Sequence, residues 1–293
     1  MFNIKNILEP ESISEAIEML KVNSKLKVIA GGTDLLIHIR DGAIEEAELL
    51  SLRKIKDLDK IEILADGTIL IGPMCSFSKI FRNDIINQYI SVLGEAAVSI
   101  GGPQLRNMAT VGGNICNGAV SADSAPTLFA LNAVLKLESA TGIRMVRIQD
   151  FYEGPGKVRF NPGEILTAIL ITKENYEDLS GNYIKHSNRK AMDIAMLSVS
   201  AICSVKDGRF KDLRIALGVA APTPIRCSEA EEYAKDKEVT DENIKEIALY
   251  ALKSSKARDS WRGSKSYREH LIEVLTQRAI KEAIKRAGGN GNE

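Results

Sequence analysis

Apolar positions along the chain switch repeatedly between helical and strand spacing, and the switches outline three units. Ile13, Ala16, Ile17 and Leu20 recur at helical spacing behind Ser12 and Glu15, a capping box that satisfies the first free N–H groups of a helix. Positions 28–30 then read as a short buried strand and Leu49-Leu50-Ser51-Leu52 as a second, so residues 1–57 make a small α/β unit. Segments 61–64 and 68–71 flank the turn Ala65-Asp66-Gly67, which is a hairpin pattern. Residues 84–100 carry a helical pattern ending at the stiff turn Gly101-Gly102-Pro103. Pro126 fits the first position of a helix carrying Leu128, Phe129 and Leu131, with Asp123 just before it. Strands resume at 133–138 and 144–148, around Ala140-Thr141-Gly142, and at 164–171, completing a second unit over 58–175.

Beyond the charged stretch 173–180 the pattern changes again. Segments 195–205 and 210–219 pair around Lys206-Asp207-Gly208-Arg209, and the chain past Pro222 and Pro224 is mostly helical. This predicts a third unit, 176–293, with an antiparallel sheet covered by helices; the fold class is α+β. The tail from Gly288 to Glu293 reads as frayed.

Two glycine pairs interrupt this pattern. In Val28-Ile29-Ala30-Gly31-Gly32-Thr33-Asp34-Leu35 and in Thr110-Val111-Gly112-Gly113-Asn114-Ile115-Cys116-Asn117-Gly118, an apolar β-type run stops at paired glycines followed by a small polar residue. Without a Cβ, backbone N–H groups approach an anion closely, so two such nests suit a diphosphate gripped from both sides. Either pair alone reads equally well as an ordinary turn. The chain has neither G-x-G-x-x-G nor G-x-x-x-x-G-K-[ST], so the common dinucleotide fold and the P-loop are unsupported.

Composition narrows the chemistry further. The 293 residues are enough to bury a large cofactor, and Lys plus Arg balance Asp plus Glu at 39 each, which removes the electrostatic case for nucleic acid or a membrane surface. No apolar run reaches a membrane span and the amino terminus lacks a signal-peptide core, so the expected location is cytoplasmic. Cys75, Cys116, Cys203 and Cys227 have no C-x-x-C spacing and read as buried thiols; with His38, His186 and His270 equally scattered, no metal site is expected.

The second glycine loop, running on to Ser121-Ala122-Asp123-Ser124-Ala125-Pro126, resembles the signature of the FAD-binding (medium) subunit of molybdenum hydroxylases. Gly154-Pro155-Gly156-Lys157-Val158, the stretch from Gly218 to Cys227, and Asp259-Ser260-Trp261-Arg262-Gly263-Ser264-Lys265 resemble the xanthine dehydrogenase branch of that family. The resemblance covers essentially the whole chain. It implies two small α+β subdomains holding FAD between them, with a carboxy-terminal sheet-and-helix domain.

Carried over residue by residue, the resemblance implies that Val28, Ile29, Ala30, Gly31, Gly32, Thr33, Asp34 and Leu35 lie along the FAD diphosphate. Thr110, Gly113, Asn114, Cys116 and Asn117 match the second cofactor loop, Asp123 an acidic cofactor contact, Ile100 and Leu166 apolar contacts, and Lys185 a lysine reaching the cofactor. Asp123 also reads as a helix N-terminal carboxylate, and Arg189 and Asp193 as braces of their own segment. Some relatives carry an inserted segment whose cysteines bind an additional iron–sulfur cluster; this chain has none.

The resemblance further implies non-covalent FAD, a partner large subunit with the molybdenum cofactor, a partner small subunit with [2Fe-2S] clusters, NAD as acceptor and a role in purine oxidation. No catalytic residue of this chain is required. A self-contained flavin reductase or oxidase remains a rival, as does a non-redox scaffold that has lost its flavin.

Overall fold

A computed structural model describes residues 2–288; the rest of the tail expected to fray lies outside the described residues. The first unit is a parallel three-stranded layer, with β1 (Ile4–Leu8) and β2 (Lys27–Ile29) on either side of β3 (Ala47–Ser51). Helix α1 (Ile13–Val22) starts where the capping box places it, with the Ser12 hydroxyl accepting from the Glu15 N–H. It buries Ala16 and Leu20 on one face of the sheet, while the short α2 (Leu35–Arg40) buries Ile39 on the other. β2 is not buried as its apolar sequence suggests. Val28 stays exposed because this edge strand borders an open cleft.

The second unit is a five-stranded antiparallel sheet in the order β4-β5-β10-β6-β7. Its strands are β4 (Ile61–Ile63), β5 (Ile69–Ile71), β6 (Val134–Ser139), β7 (Gly142–Arg147) and β10 (Ile165–Ile171), with a ribbon of β8 (Tyr152–Gly154) and β9 (Lys157–Val158) beside them. Helices α3 (Phe77–Arg82), α4 (Asp84–Tyr89), α5 (Ser91–Val98), α6 (Pro103–Met108), α7 (Val111–Cys116), α8 (Ser124–Ala130) and α9 (Ile148–Phe151) complete it. The single helix suggested by 84–100 is two. Ile90 leaves helical geometry at φ −140°, and the reorientation lets α5 bury Val92, Leu93, Ala96 and Ala97. Pro126 sits at the third position of α8, not the first; first-turn N–H groups have no partner within the helix, so proline fits there too.

The third unit is a four-stranded sheet, β11 (Ser180–His186), β12 (Leu197–Lys206), β13 (Arg209–Gly218) and β14 (Ile225–Arg226), in that order. One face carries α10 (Ser228–Ala234), α11 (Asp241–Lys253) and α12 (Lys265–Arg286) over a core that includes Leu197, Leu217, Ile247 and Ile280. The opposite face contributes Tyr183, Ile202 and Ala216 to the core of the second unit. No helix among the described residues is long and apolar enough to cross a membrane.

A polar clamp reinforces that contact. Arg226 donates to the Phe129 carbonyl at 2.7 Å and to Asn132 Oδ1 at 2.6 Å, while its fork holds both oxygens of Glu231 at 2.7 and 2.8 Å. Asn132 takes the left-handed φ of 49°, which asparagine tolerates better than most residues, and hands its amide to Asn175. Arg226→Ala leaves the largely buried Glu231 without its partner, so the unfolding free energy is expected to fall by about 3 kcal/mol in urea denaturation. An unchanged midpoint would show that the clamp adds nothing.

Candidate functional site

Between the first and second units lies a cleft of about 590 Å³, large enough for a sizeable cofactor. One wall is the turn from β2 into α2. Gly32 adopts φ 73°, in the region that favours glycine, and bends the backbone inward. The N–H groups of Gly31, Gly32, Thr33, Asp34 and Leu35 donate to no acceptor among the described residues. Such a run of open donors is able to hold an anion with several oxygens. Gly31 seats the turn, lying so close to α6 that a β-carbon there would stand 1.9 Å from the Met108 carbonyl oxygen.

The opposite wall is built differently from what its sequence suggests. Thr110 to Cys116 do not form a strand ending in a loop; Thr110 caps α7, and Gly112 and Gly113 are its first turn. All four leading N–H groups are committed: Val111 to the Cys75 carbonyl at 3.0 Å, Gly112 to the Pro73 carbonyl at 2.9 Å, Gly113 to the Thr110 hydroxyl at 3.1 Å, and Asn114 to the Thr110 carbonyl at 3.0 Å. This wall is therefore no backbone nest. What it offers are side chains: the Thr110 hydroxyl proton, the Asn114 amide nitrogen left over once its oxygen accepts from Ser124 at 2.7 Å, and the Asn117 amide. Gly112 is glycine because a β-carbon would meet Pro73 at 2.4 Å.

Apolar side chains fill out the cleft. Ile100 and Leu166, both nearly buried, reach it alongside Phe77, Leu105, Phe160 and Ile194. Its ionisable groups are occupied or suppressed. Burial pushes the Cys116 thiol up to about 12. Burial also acts to raise Glu164, but Arg144 at 2.6 and 2.8 Å and the Asn161 N–H at 2.6 Å outweigh it and hold the carboxyl below its usual range. The exposed Asp34 carboxylate turns to His38, 3.2 Å away.

The residues singled out in the sequence thus gather along one cleft, with two exceptions. Asp123 and Lys185 do not line it; they pair with each other at 2.8 Å just behind it, each side chain only 10% exposed. Asp123 stands at the N-terminus of α8 but caps nothing there, because its other oxygen accepts from the buried Tyr183 hydroxyl at 3.1 Å. Arg189 and Asp193 brace their own segment, the Arg189 N–H donating to Asp193 at 2.9 Å. Sequence reasoning passed over Glu164, Phe160 and Ile194 as cleft residues and Tyr183 altogether. The two-residue spacing of Tyr183 and Lys185 on β11 was the available signal, since it puts both on one face.

Fold and cleft together suit a large anionic cofactor outside the common dinucleotide fold, with open backbone donors on one wall and side-chain donors on the other. Comparison with known proteins sharpens this class. The FAD binding domain in molybdopterin dehydrogenase matches residues 2–173, and the CO dehydrogenase flavoprotein C-terminal domain matches 182–283. The chain is 38% identical to a xanthine dehydrogenase FAD-binding subunit of Escherichia coli O157:H7, over 99% of each. It is 30% identical to the carbon monoxide dehydrogenase medium chain of Afipia carboxidovorans, over 95% of this chain and 96% of that one. A solved carbon monoxide dehydrogenase from Hydrogenophaga pseudoflava superposes with a TM-score of 0.92 at 26% identity, covering 98% of this chain and 99% of that one. The chain belongs to the FAD-binding medium subunits of the molybdenum hydroxylase family.

Proposed function

We propose that the chain holds one FAD non-covalently in the cleft and serves as the electron relay of a xanthine dehydrogenase-like enzyme. Its partners in this reading are a small subunit with [2Fe-2S] clusters and a large subunit with the molybdenum cofactor. NAD is the acceptor and a purine the substrate class, a choice supported by the 38% identity to a xanthine dehydrogenase subunit. The observation that carries the reading is the run of open N–H groups from Gly31 to Leu35, in the same cleft as Thr110, Asn114 and Asn117.

Each residue has a defined task. The Gly31–Leu35 turn binds the diphosphate through its backbone, and Val28, Ile29 and Ala30 set its direction. Gly113 and Cys116 keep the opposite wall slim, while Ile100 and Leu166 supply apolar surface for a flat ring system. Bound FAD supplies a carrier stable in one- and two-electron states, which joins single-electron clusters to a two-electron acceptor. The chain itself orients the cofactor and excludes water. Glu164 is locked to Arg144 and the Cys116 thiol is held protonated, so neither of these two cleft groups is poised as an acid or base, which favours a relay over a self-contained flavoenzyme.

The purified chain is expected to be yellow, to lose its colour to the supernatant on acid precipitation, and to pass electrons from NADH to a dye without hydroxylating xanthine. Purine-dependent NAD reduction is expected only after co-expression with the two partner subunits. Robust substrate turnover by the chain alone would overturn the relay.

A further inference from the structure

We propose that the turn Ser260-Trp261-Arg262-Gly263, which leads into α12 of the third unit, is a docking anchor for a protein partner that brings carboxylates around an apolar socket; this rests on the multisubunit reading above. Trp261 is the chain's single tryptophan, and it stands 80% exposed at the tip of the turn. It is held there firmly. Ser260 and Gly263 exchange two backbone hydrogen bonds of 3.1 Å, and the Ser260 hydroxyl accepts from the Arg262 N–H at 3.2 Å and from the Arg268 guanidinium at 2.7 Å. The Arg262 guanidinium lies 4.1 Å over the indole ring. Tryptophan and arginine are among the side chains that most often carry binding energy at protein interfaces, and a turn already rigid loses little freedom on docking.

Charge decides what kind of surface fits. Residues 256–268 hold five Lys or Arg against one Asp, in a chain whose charges balance. That Asp259 accepts from the Lys265 N–H at 2.7 Å, the Lys265 side chain pairs with Glu269 at 3.7 Å, and among the described residues no carboxylate pairs with Arg258, Arg262 or Arg268. Arg268 is only 3% exposed; its Nε has no partner, and its other nitrogens hold the Ser260 hydroxyl and the Met196 carbonyl. Burial, and then the guanidiniums of Arg258 and Arg262, push its pKa below the usual value. The Arg262 Nε is buried without a partner as well. Like charges gathered where water screens them poorly cost free energy, and carboxylates arriving at the more accessible Arg258 and Arg262 offset that cost. A purely apolar partner would add to it. The anchor also stands beside the cofactor cleft, since the Met196 carbonyl held by Arg268 is two residues from Ile194, which lines it.

The test is isothermal titration of the full chain with its iron–sulfur and molybdenum subunits, co-purified as a pair, at low and at moderate salt. Flavin content, thermal midpoint and NADH-to-dye rate are measured first and are expected to match the parent in every variant. Trp261→Ala is expected to weaken association about thirtyfold, and Trp261→Phe to recover part of the loss. Arg258→Ala combined with Arg262→Ala is expected to weaken association at low salt and to flatten its salt dependence, because the complementary charge is gone. Should one of these variants misfold, the other decides. Unchanged affinity in Trp261→Ala, or an undiminished salt dependence in the arginine variant, overturns the anchor alone. So does a parent chain that self-associates in sedimentation while Trp261→Ala stays monomeric, since the occupant is then a second copy. A parent chain that recovers no partner subunits on co-expression overturns the relay reading and the anchor with it.

Discussion

Gly31→Ala is expected to strip the flavin from the protein. The added methyl would stand 1.9 Å from the Met108 carbonyl oxygen and 3.1 Å from the Ala109 Cα, and both neighbours are backbone that cannot rotate away. The turn has to lift from α6, carrying with it Gly32 to Leu35, which line the cleft. Overpacking of this kind costs about 1–3 kcal/mol or more, and each 1.4 kcal/mol taken from binding is about a tenfold loss in affinity. Flavin retained after gel filtration, read as the ratio of visible to ultraviolet absorbance, should fall below about a tenth of the parental ratio at that cost. The third unit shares none of these contacts and should keep its far-ultraviolet circular dichroism. Full flavin occupancy in this variant would remove the turn from the binding site.

On the opposite wall, Gly113→Val is expected to lose flavin nearly as completely, for a different reason. Gly113 lies in a helical turn and not at positive φ, so backbone conformation does not require glycine there. Its missing side chain leaves room between the walls: a β-carbon would sit 3.0 Å from the Thr110 hydroxyl and 3.7 Å from Ala30 Cβ. Valine crowds the Thr110 cap and projects methyl groups into the gap, while its helix propensity exceeds that of glycine, so the fold should stay intact. Cys116→Ser, nearly one turn further on and nearly isosteric, is expected to keep most of its flavin. Equilibrium dialysis of the two variants against FAD separates the outcomes; loss in Cys116→Ser with retention in Gly113→Val would reverse the roles assigned to them.

The contrast between the two loops shows what was legible in the sequence. Periodicity located the hairpin at 61–71, the paired strands of the third sheet and the capped α1, because each is specified locally by alternation, a turn or a cap. It misread Thr110 to Cys116, where a threonine cap followed by two glycines looks like the end of a strand. The deciding contacts there are tertiary: the carbonyls of Pro73 and Cys75, remote in sequence, take the N–H groups and turn the segment into a helix. β11 escaped for a related reason. Ser180 to His186 is a mixed polar run whose strand character comes from pairing along β12, not from its own alternation. The cleft residues were readable as two motifs, but the pairing of Asp123 with Lys185 joins segments whose neighbourhood only the packed third sheet creates.

The unlike walls of the cleft also differ in when they can be completed. The α7 wall has its hydrogen bonds closed by Pro73, Cys75 and Thr110, so it is finished once the second unit folds. The β2–α2 turn is not, since its donors have no acceptor within the described chain. The β2–α2 turn is accordingly the wall where amide exchange and proteolysis are expected to start in protein prepared without FAD. An anion held by those N–H groups would protect them, so added FAD is expected to slow cleavage in the β2–α2 turn and leave the α7 wall unchanged, which limited proteolysis with and without FAD would read.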